Sequence, residues 1–140
     1  FMIKRNKGQV VVISSTAGKI GVPMRSGYCG AKHALHGFFE ALRAELSKTS
    51  INITMICPGF IQTNISKNAL VADGSPQNKM DHAQANGMPV EIFSKKALHA
   101  TQNKKKEVSI GGFKDTKMAI YLWRFFPNIL RKVIAKARVV

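Results

Sequence analysis

Acidic residues are scarce: 7 Asp and Glu stand against 22 Lys and Arg in 140 residues, a formal charge of +15. Such an imbalance attracts phosphates, nucleic acid and anionic lipid surfaces, but it does not specify a fold. The run KKK at 104–106 falls between a helical pattern and a strand pattern, where a solvated turn accounts for it. A nucleic-acid binder would interleave basic residues with exposed aromatics or carry a recognition module. The sequence has neither, so nucleic acid is not an expected partner. Cysteine is also scarce. Cys29 and Cys57 sit inside apolar patterns without metal-ligand spacing, which reads as two reduced, buried thiols in a cytoplasmic setting. No metal site is expected. No stretch approaches the roughly 18 apolar residues of a membrane-spanning helix. The opening FMIKRNKG lacks the apolar run of a secretory signal. The chain therefore reads as soluble or peripheral, and its 45% hydrophobic content suits one domain with a real core.

The patterns that are present alternate between strand and helix. QVVVISS, 9–15, opened by Gly8, is a continuous β-branched run that fits a strand buried on both faces, as in parallel sheets covered by helices. From about Arg25 to Lys48, Ala34, Leu35, Phe38, Phe39, Leu42 and Leu46 recur at helical steps. INITMIC, 51–57, is a second strand stopped by Pro58 and Gly59. Residues 60–88 are irregular, with turn signals at 72–75 and 84–89, and loops this long are usually functional. Pro89 at a first helical position, with Val90, Ile92, Phe93, Ala97 and Leu98, opens another helix. KEVSIGG, 106–112, is a short third strand. The tail carries Met118, Leu122, Phe125 and Phe126 on one stripe and Ile129, Leu130, Val133, Ile134 and Ala137 on another, separated by Pro127.

In open α/β sheets, ligands bind beyond the carboxyl ends of the strands. Ser14 and Ser15 stand at that end of the first strand, Pro58 and Gly59 at that of the second. Tyr28 and Lys32 are four residues apart at the start of the crossover helix, stacked on one face. A phenol has a reference pKa of about 10, so acid or base work near neutrality needs help. An ammonium one turn away favours a phenolate, and a serine hydroxyl can hold a carbonyl oxygen as it gains charge. Such a trio needs a hydride or another reactant for the carbonyl to meet. His33 and His36 share the helix and read as surface or interface residues.

The segments VVVISSTAGKIGVPMRSGYCGAKHAL and INITMICPGFIQTN resemble the short-chain dehydrogenases/reductases, in their hydroxysteroid-dehydrogenase-like branch, over nearly the whole chain. The spacing Ser-x12-Tyr-x3-Lys, with a Pro-Gly turn after the next strand, selects Ser15 over Ser14. The resemblance implies an α/β fold, the carboxyl-terminal half of a Rossmann-like doubly wound parallel sheet with helices on both faces. It implies an oxidoreductase that uses NAD or NADP to interconvert a small-molecule carbonyl and a secondary alcohol. Tyr28 is then the proton donor, Ser15 orients the carbonyl, and Lys32 holds the nicotinamide ribose and assists Tyr28. Pro58, Gly59, Ile61 and Thr63 match the segment beside the nicotinamide, and residues 60–88 match a mobile substrate loop.

The family's glycine-rich turn, which cradles a pyrophosphate at a helix N-terminus, does not occur in these 140 residues, nor does its catalytic asparagine. The expectation is half of a roughly twice-longer enzyme. Residues 1–113 would form its catalytic and substrate half and 114–140 basic amphipathic helices. Alone, this portion would not turn over substrate, and the unpaired edge of its first strand would favour a homo-oligomer. Trp123, Phe125 and Phe126 with Lys117, Arg124, Arg131, Lys132 and Lys136 could lie on an anionic membrane surface or cover the sheet or a subunit interface. An inactive binding or membrane-surface module that keeps the fold is the alternative function.

Overall fold

Asn6 turns the chain back after a single helical turn, α1 (Met2–Arg5), with a left-handed φ of 45° that asparagine tolerates. Its Oδ1 also accepts from the Ser50 N–H at 2.8 Å, which ties the entry of the first strand to that of the second. The computed structural model describes residues 1–112 and 116–136. After α1 come strand β1 (Gly8–Ile13), a 3-10 turn (Thr16–Gly18), helix α2 (Ser26–Glu45) and strand β2 (Ile51–Pro58). Helices α3 (His82–Ala85) and α4 (Val90–Gln102), strand β3 (Glu107–Ile110), and helices α5 (Met118–Phe125) and α6 (Pro127–Ala135) follow. The strands lie in the order β1-β2-β3 and both pairings are parallel, with Val10 beside Ile53 and Ile56 beside Val108.

Side-chain alternation along the strands sorts the core. Val12, Ile53, Met55 and Cys57 are buried on one face, under Leu35, Phe39 and Leu42 of α2 and Leu46 at its carboxyl cap. Those four follow one helical stripe. Phe38, expected on it, flanks it instead and is exposed. On the other face α4 covers β2 and β3 and holds β1 through one bond, Gln9 Nε2 to the Thr101 carbonyl at 2.7 Å.

The expectation that β1 is buried on both faces therefore fails: Val11 and Ile13 are 41% and 47% exposed. The cause is position. Among the described residues β1 is an edge strand, which α4 meets at Gln9 but does not cover at Val11 and Ile13. The strand also stops at Ile13, although the Ser14 N–H still bonds the Ile56 carbonyl at 2.8 Å. Pro89 precedes α4 rather than opening it, and the half-buried stripe is Phe93, Ala97 and the buried Ala100. Ile92 and Leu98 lie off that stripe, and Val90 is exposed in the first turn.

Residues 61–88 are pinned at several points. Ile61 bridges Met88, Leu70 bridges Pro76, and Asp81 pairs with Arg25 at 2.7 Å beside the start of α2. Pro127 opens α6 as its first residue, where its missing N–H costs nothing. The division expected between 113 and 114, and Ala137 of the last stripe, lie outside the described residues. Among the described residues no helix is long and apolar enough to cross a membrane.

Candidate active site

The carboxyl end of β1 delivers two serines with different environments. Ser15 is extended, and its Oγ accepts from the Ala17 N–H at 3.1 Å, capping the 3-10 turn while its own O–H stays available. Ser14 is buried. Its Oγ lies 3.0 Å from His36 Nε2 and 3.4 Å from the Lys32 carbonyl, so it joins β1 to the middle of α2. Gly18 makes that junction possible. A Cβ there would stand 2.7 Å from Ser14 Oγ, 2.8 Å from the Lys32 carbonyl oxygen and 2.9 Å from the His36 ring.

Tyr28 and Lys32 share one face of α2, one turn apart, and Tyr28 is partly exposed. Lys32 Nζ donates to the Ile13 carbonyl at 3.0 Å and stands 5.6 Å from the centre of the Tyr28 ring. The ammonium thus sits between the tyrosine and the strand end that carries Ser15. Thr16 Oγ1 donates to the Pro58 carbonyl at 3.0 Å, fastening the 3-10 turn to the end of β2. Gly59 and Gly111 both press their backbones against the buried hydroxyl of Thr116, leaving no room for a Cβ at either. Ser15, Tyr28, Lys32, Pro58 and Gly59 therefore meet at one end of the sheet.

Ile61 and Thr63 differ from that group. Ile61 is buried and its carbonyl accepts from Gln84 Nε2, so its side chain is not open to a ligand and its backbone oxygen is already engaged. Thr63 is exposed and its hydroxyl also accepts from Gln84 Nε2, at 3.2 Å.

His36 is the residue that sequence reasoning misplaced. It is buried, not a surface residue, between Ser14 and Cys57, whose Sγ is 3.8 Å from Nε2. Its spacing held the available signal, seven residues after Cys29 and three before Phe39, both of which face inward. The other ring nitrogen, Nδ1, is 3.7 Å from Glu107 Oε2, an oxygen that Lys19 Nζ already holds at 2.8 Å. Burial pushes the His36 pKa down, with Lys19 adding to the effect and Glu107 opposing it. Burial, and then Glu107, pushes the Cys57 thiol up to about 12. His36, Cys57 and Glu107 offer donor atoms all within 4.8 Å of one another, but a cation among them would first have to displace the Lys19 ammonium.

Residues 1–73 match the family model described as short chain dehydrogenase. The chain is 42% identical over 134 residues to dehydrogenase/reductase SDR family member 7B of Xenopus tropicalis, covering 96% of this chain and 43% of that protein. It is 34% identical over 138 residues to the SDR family protein 7-like of Drosophila melanogaster, covering 99% and 42%. It thus spans less than half the length of these relatives. Among solved structures, a short chain dehydrogenase from Burkholderia cenocepacia in complex with NADP superposes with a TM-score of 0.72 at 18% identity, over 96% of this chain and 50% of that one. The closed form of a serine dehydrogenase complexed with NADP+ gives 0.61 at 22% identity, over 81% and 48%. Both share the fold of the three-stranded parallel sheet and its flanking helices.

Proposed function

The chain belongs to the short-chain dehydrogenase family, and from that premise we propose that it carries the proton-transfer side of an NAD(P)-dependent oxidoreductase acting on a small carbonyl or secondary alcohol. The observation that carries this reading is the position of Lys32, bonded to the Ile13 carbonyl and 5.6 Å from the Tyr28 ring. It places a fixed positive charge beside the one phenol that α2 offers at the strand ends.

In this reading Tyr28 Oη gives its proton to the substrate carbonyl oxygen during reduction and takes it back during oxidation. The Lys32 ammonium favours the phenolate left behind, and the Ser15 hydroxyl, its lone pair already turned to Ala17, donates to the same carbonyl oxygen. A bound nicotinamide supplies or receives the hydride. The residues fit such a group. Lys32 spends one of its three N–H donors on Ile13, which leaves two for ribose hydroxyls. Gly59, whose missing Cβ makes room for the Thr116 hydroxyl, brings a stretch of bare backbone to the end of β2. Pro58, Ile61 and Thr63 flank that stretch. The NADP complexes of the two similar folds support the cofactor class. A homo-oligomer is the expected assembly.

The test is NAD(P)H oxidation against a panel of carbonyl compounds, using this chain together with whatever residues precede Phe1 in the natural protein. Tyr28→Phe is expected to lower kcat at least about 100-fold while leaving NAD(P)H binding within a factor of about three. Near wild-type turnover by that variant would refute the assignment. Cofactor binding without turnover of any substrate would favour an inactive module that keeps the fold.

A further inference from the structure

Between Thr116 and Lys136 the sequence has no acidic residue and five cations: Lys117, Arg124, Arg131, Lys132 and Lys136. The two helices of this segment also expose apolar side chains along one stripe each. Tyr121 and Phe125 on α5, and Ile129 and Val133 on α6, are each more than half exposed. On the α5 side of Pro127 the rings cluster, with Tyr121 4.7 Å from Phe125 and 6.5 Å from Phe126, and α6 packs directly against α5. Arg131 stands over the Trp123 ring at 5.3 Å on a neighbouring face.

On α6 the opposite side is used, because Leu130 is buried. On α5 Ile120, Tyr121 and Phe125, with Lys117 and Arg124, line one wall of an open crevice whose other wall is Glu107, Val108 and Ser109 of β3. The cationic surface continues past α5. Lys117 closes a second crevice, of about 440 Å³, with Lys95, Lys96 and Lys105.

We propose that α5 and α6 form a docking face for an anionic lipid bilayer, independent of the oxidoreductase reading. With 8 and 9 residues they cannot span a bilayer but can lie in its surface plane. The aromatic and aliphatic stripe would enter the headgroup boundary while the flanking Lys and Arg meet lipid phosphates. Charge argues for this occupant over a second copy of the chain. A twofold contact through the patch would set the five cations of α5 and α6 against five, and Glu107, which borders the patch, is already held by Lys19 at 2.8 Å. Nucleic acid fits less well, because Tyr121, Phe125 and Phe126 pack on one another instead of standing free as stacking platforms.

The test is co-sedimentation of the chain with vesicles of phosphatidylcholine alone and of phosphatidylcholine with about 30% phosphatidylglycerol. Binding is expected on the anionic vesicles and at least about tenfold weaker on the neutral ones. Arg131→Gln with Lys132→Gln is expected to weaken anionic binding by about ten- to thirtyfold. Lys4→Gln with Lys7→Gln removes the same charge beside the β1 edge, the far side of the sheet from α5, and is expected to change binding less than about threefold. Phe125→Ser with Ile129→Ser, both exposed and checked for retained helix content by circular dichroism, is expected to weaken it at least about tenfold. Equal losses from the two charge pairs would reduce the effect to net charge and overturn the proposal. So would vesicle binding indifferent to Phe125→Ser with Ile129→Ser, or no vesicle binding. A dimer that those two serines dissolve, or an oligonucleotide bound through the same residues, in a chain that ignores vesicles, would equally overturn it.

Discussion

At His36 the loss of water favours the neutral imidazole, and the neutral ring can accept the Ser14 hydroxyl proton that a charged ring cannot. Its folded pKa is lowered below 6.5, so between the lowered value and 6.5 the unfolded chain binds more protons than the folded one. Stability therefore rises with pH through that window, is fully present above about 6.5, and is lost as pH falls. Urea unfolding midpoints of the wild type are expected to drop between pH 7 and pH 5, and those of His36→Gln to drop less. An equal drop in both would mean that the imidazole is not the titrating group. Cys57 follows the same logic with the opposite charge. A thiol pushed up to about 12 and fully buried presents almost no thiolate near neutrality. Maleimide is expected to leave Cys57 unlabelled at pH 7.5 in the folded chain and to label it once denaturant opens the core. Mass spectrometry of the labelled peptides separates Cys57 from Cys29.

The elements with a strong local period were legible in the sequence. α2 announces itself by Leu35, Phe39, Leu42 and Leu46, and β2 by an apolar run whose middle five residues are all buried. Ser15, Tyr28 and Lys32 were legible because their geometry is set within one strand end and one helical turn. What the sequence hid depends on distant partners. Glu107 reaches Lys19 across 88 residues, and Thr116 fills the space between Gly59 and Gly111, contacts that no local pattern encodes. The open face of β1 was hidden for a related reason, since Val11 and Ile13 look like core residues until the neighbour that would cover them is asked for. The register makes this edge testable. Ser14 N–H points to β2, so by alternation those of Val10 and Val12 do too, and those of Val11 and Ile13 point to the free edge. In hydrogen exchange Val11 and Ile13 are expected to exchange much faster than Val10 and Val12 at low protein concentration. Protection of Val11 and Ile13 that grows with concentration would reveal a second copy pairing at this edge.

For the molecule as a whole, the proposed proton-transfer group comes without a phosphate-holding turn within these 140 residues. Lys32, Gly59 and their neighbours can meet only one end of such a cofactor, and no glycine-rich turn at a helix N-terminus offers backbone N–H groups to its pyrophosphate within these 140 residues. Binding energy from the remote part of a ligand is what positions its reacting end, so losing it weakens turnover as well as affinity. The relatives, of which this chain spans less than half, have the length to supply that missing contact. The 140 residues alone are accordingly expected to show no NAD(P)H oxidation with any carbonyl substrate, even at cofactor concentrations near 1 mM, about the upper end of ordinary KM values. The same residues joined to the remaining portion of a relative such as the family member 7B of Xenopus tropicalis are expected to show it, and to lose it on Tyr28→Phe. Turnover by the 140 residues alone, abolished by Tyr28→Phe, would mean that the strand ends and α2 hold the nicotinamide without help. The proton-transfer assignment would then survive, and the need for a remote phosphate contact would not.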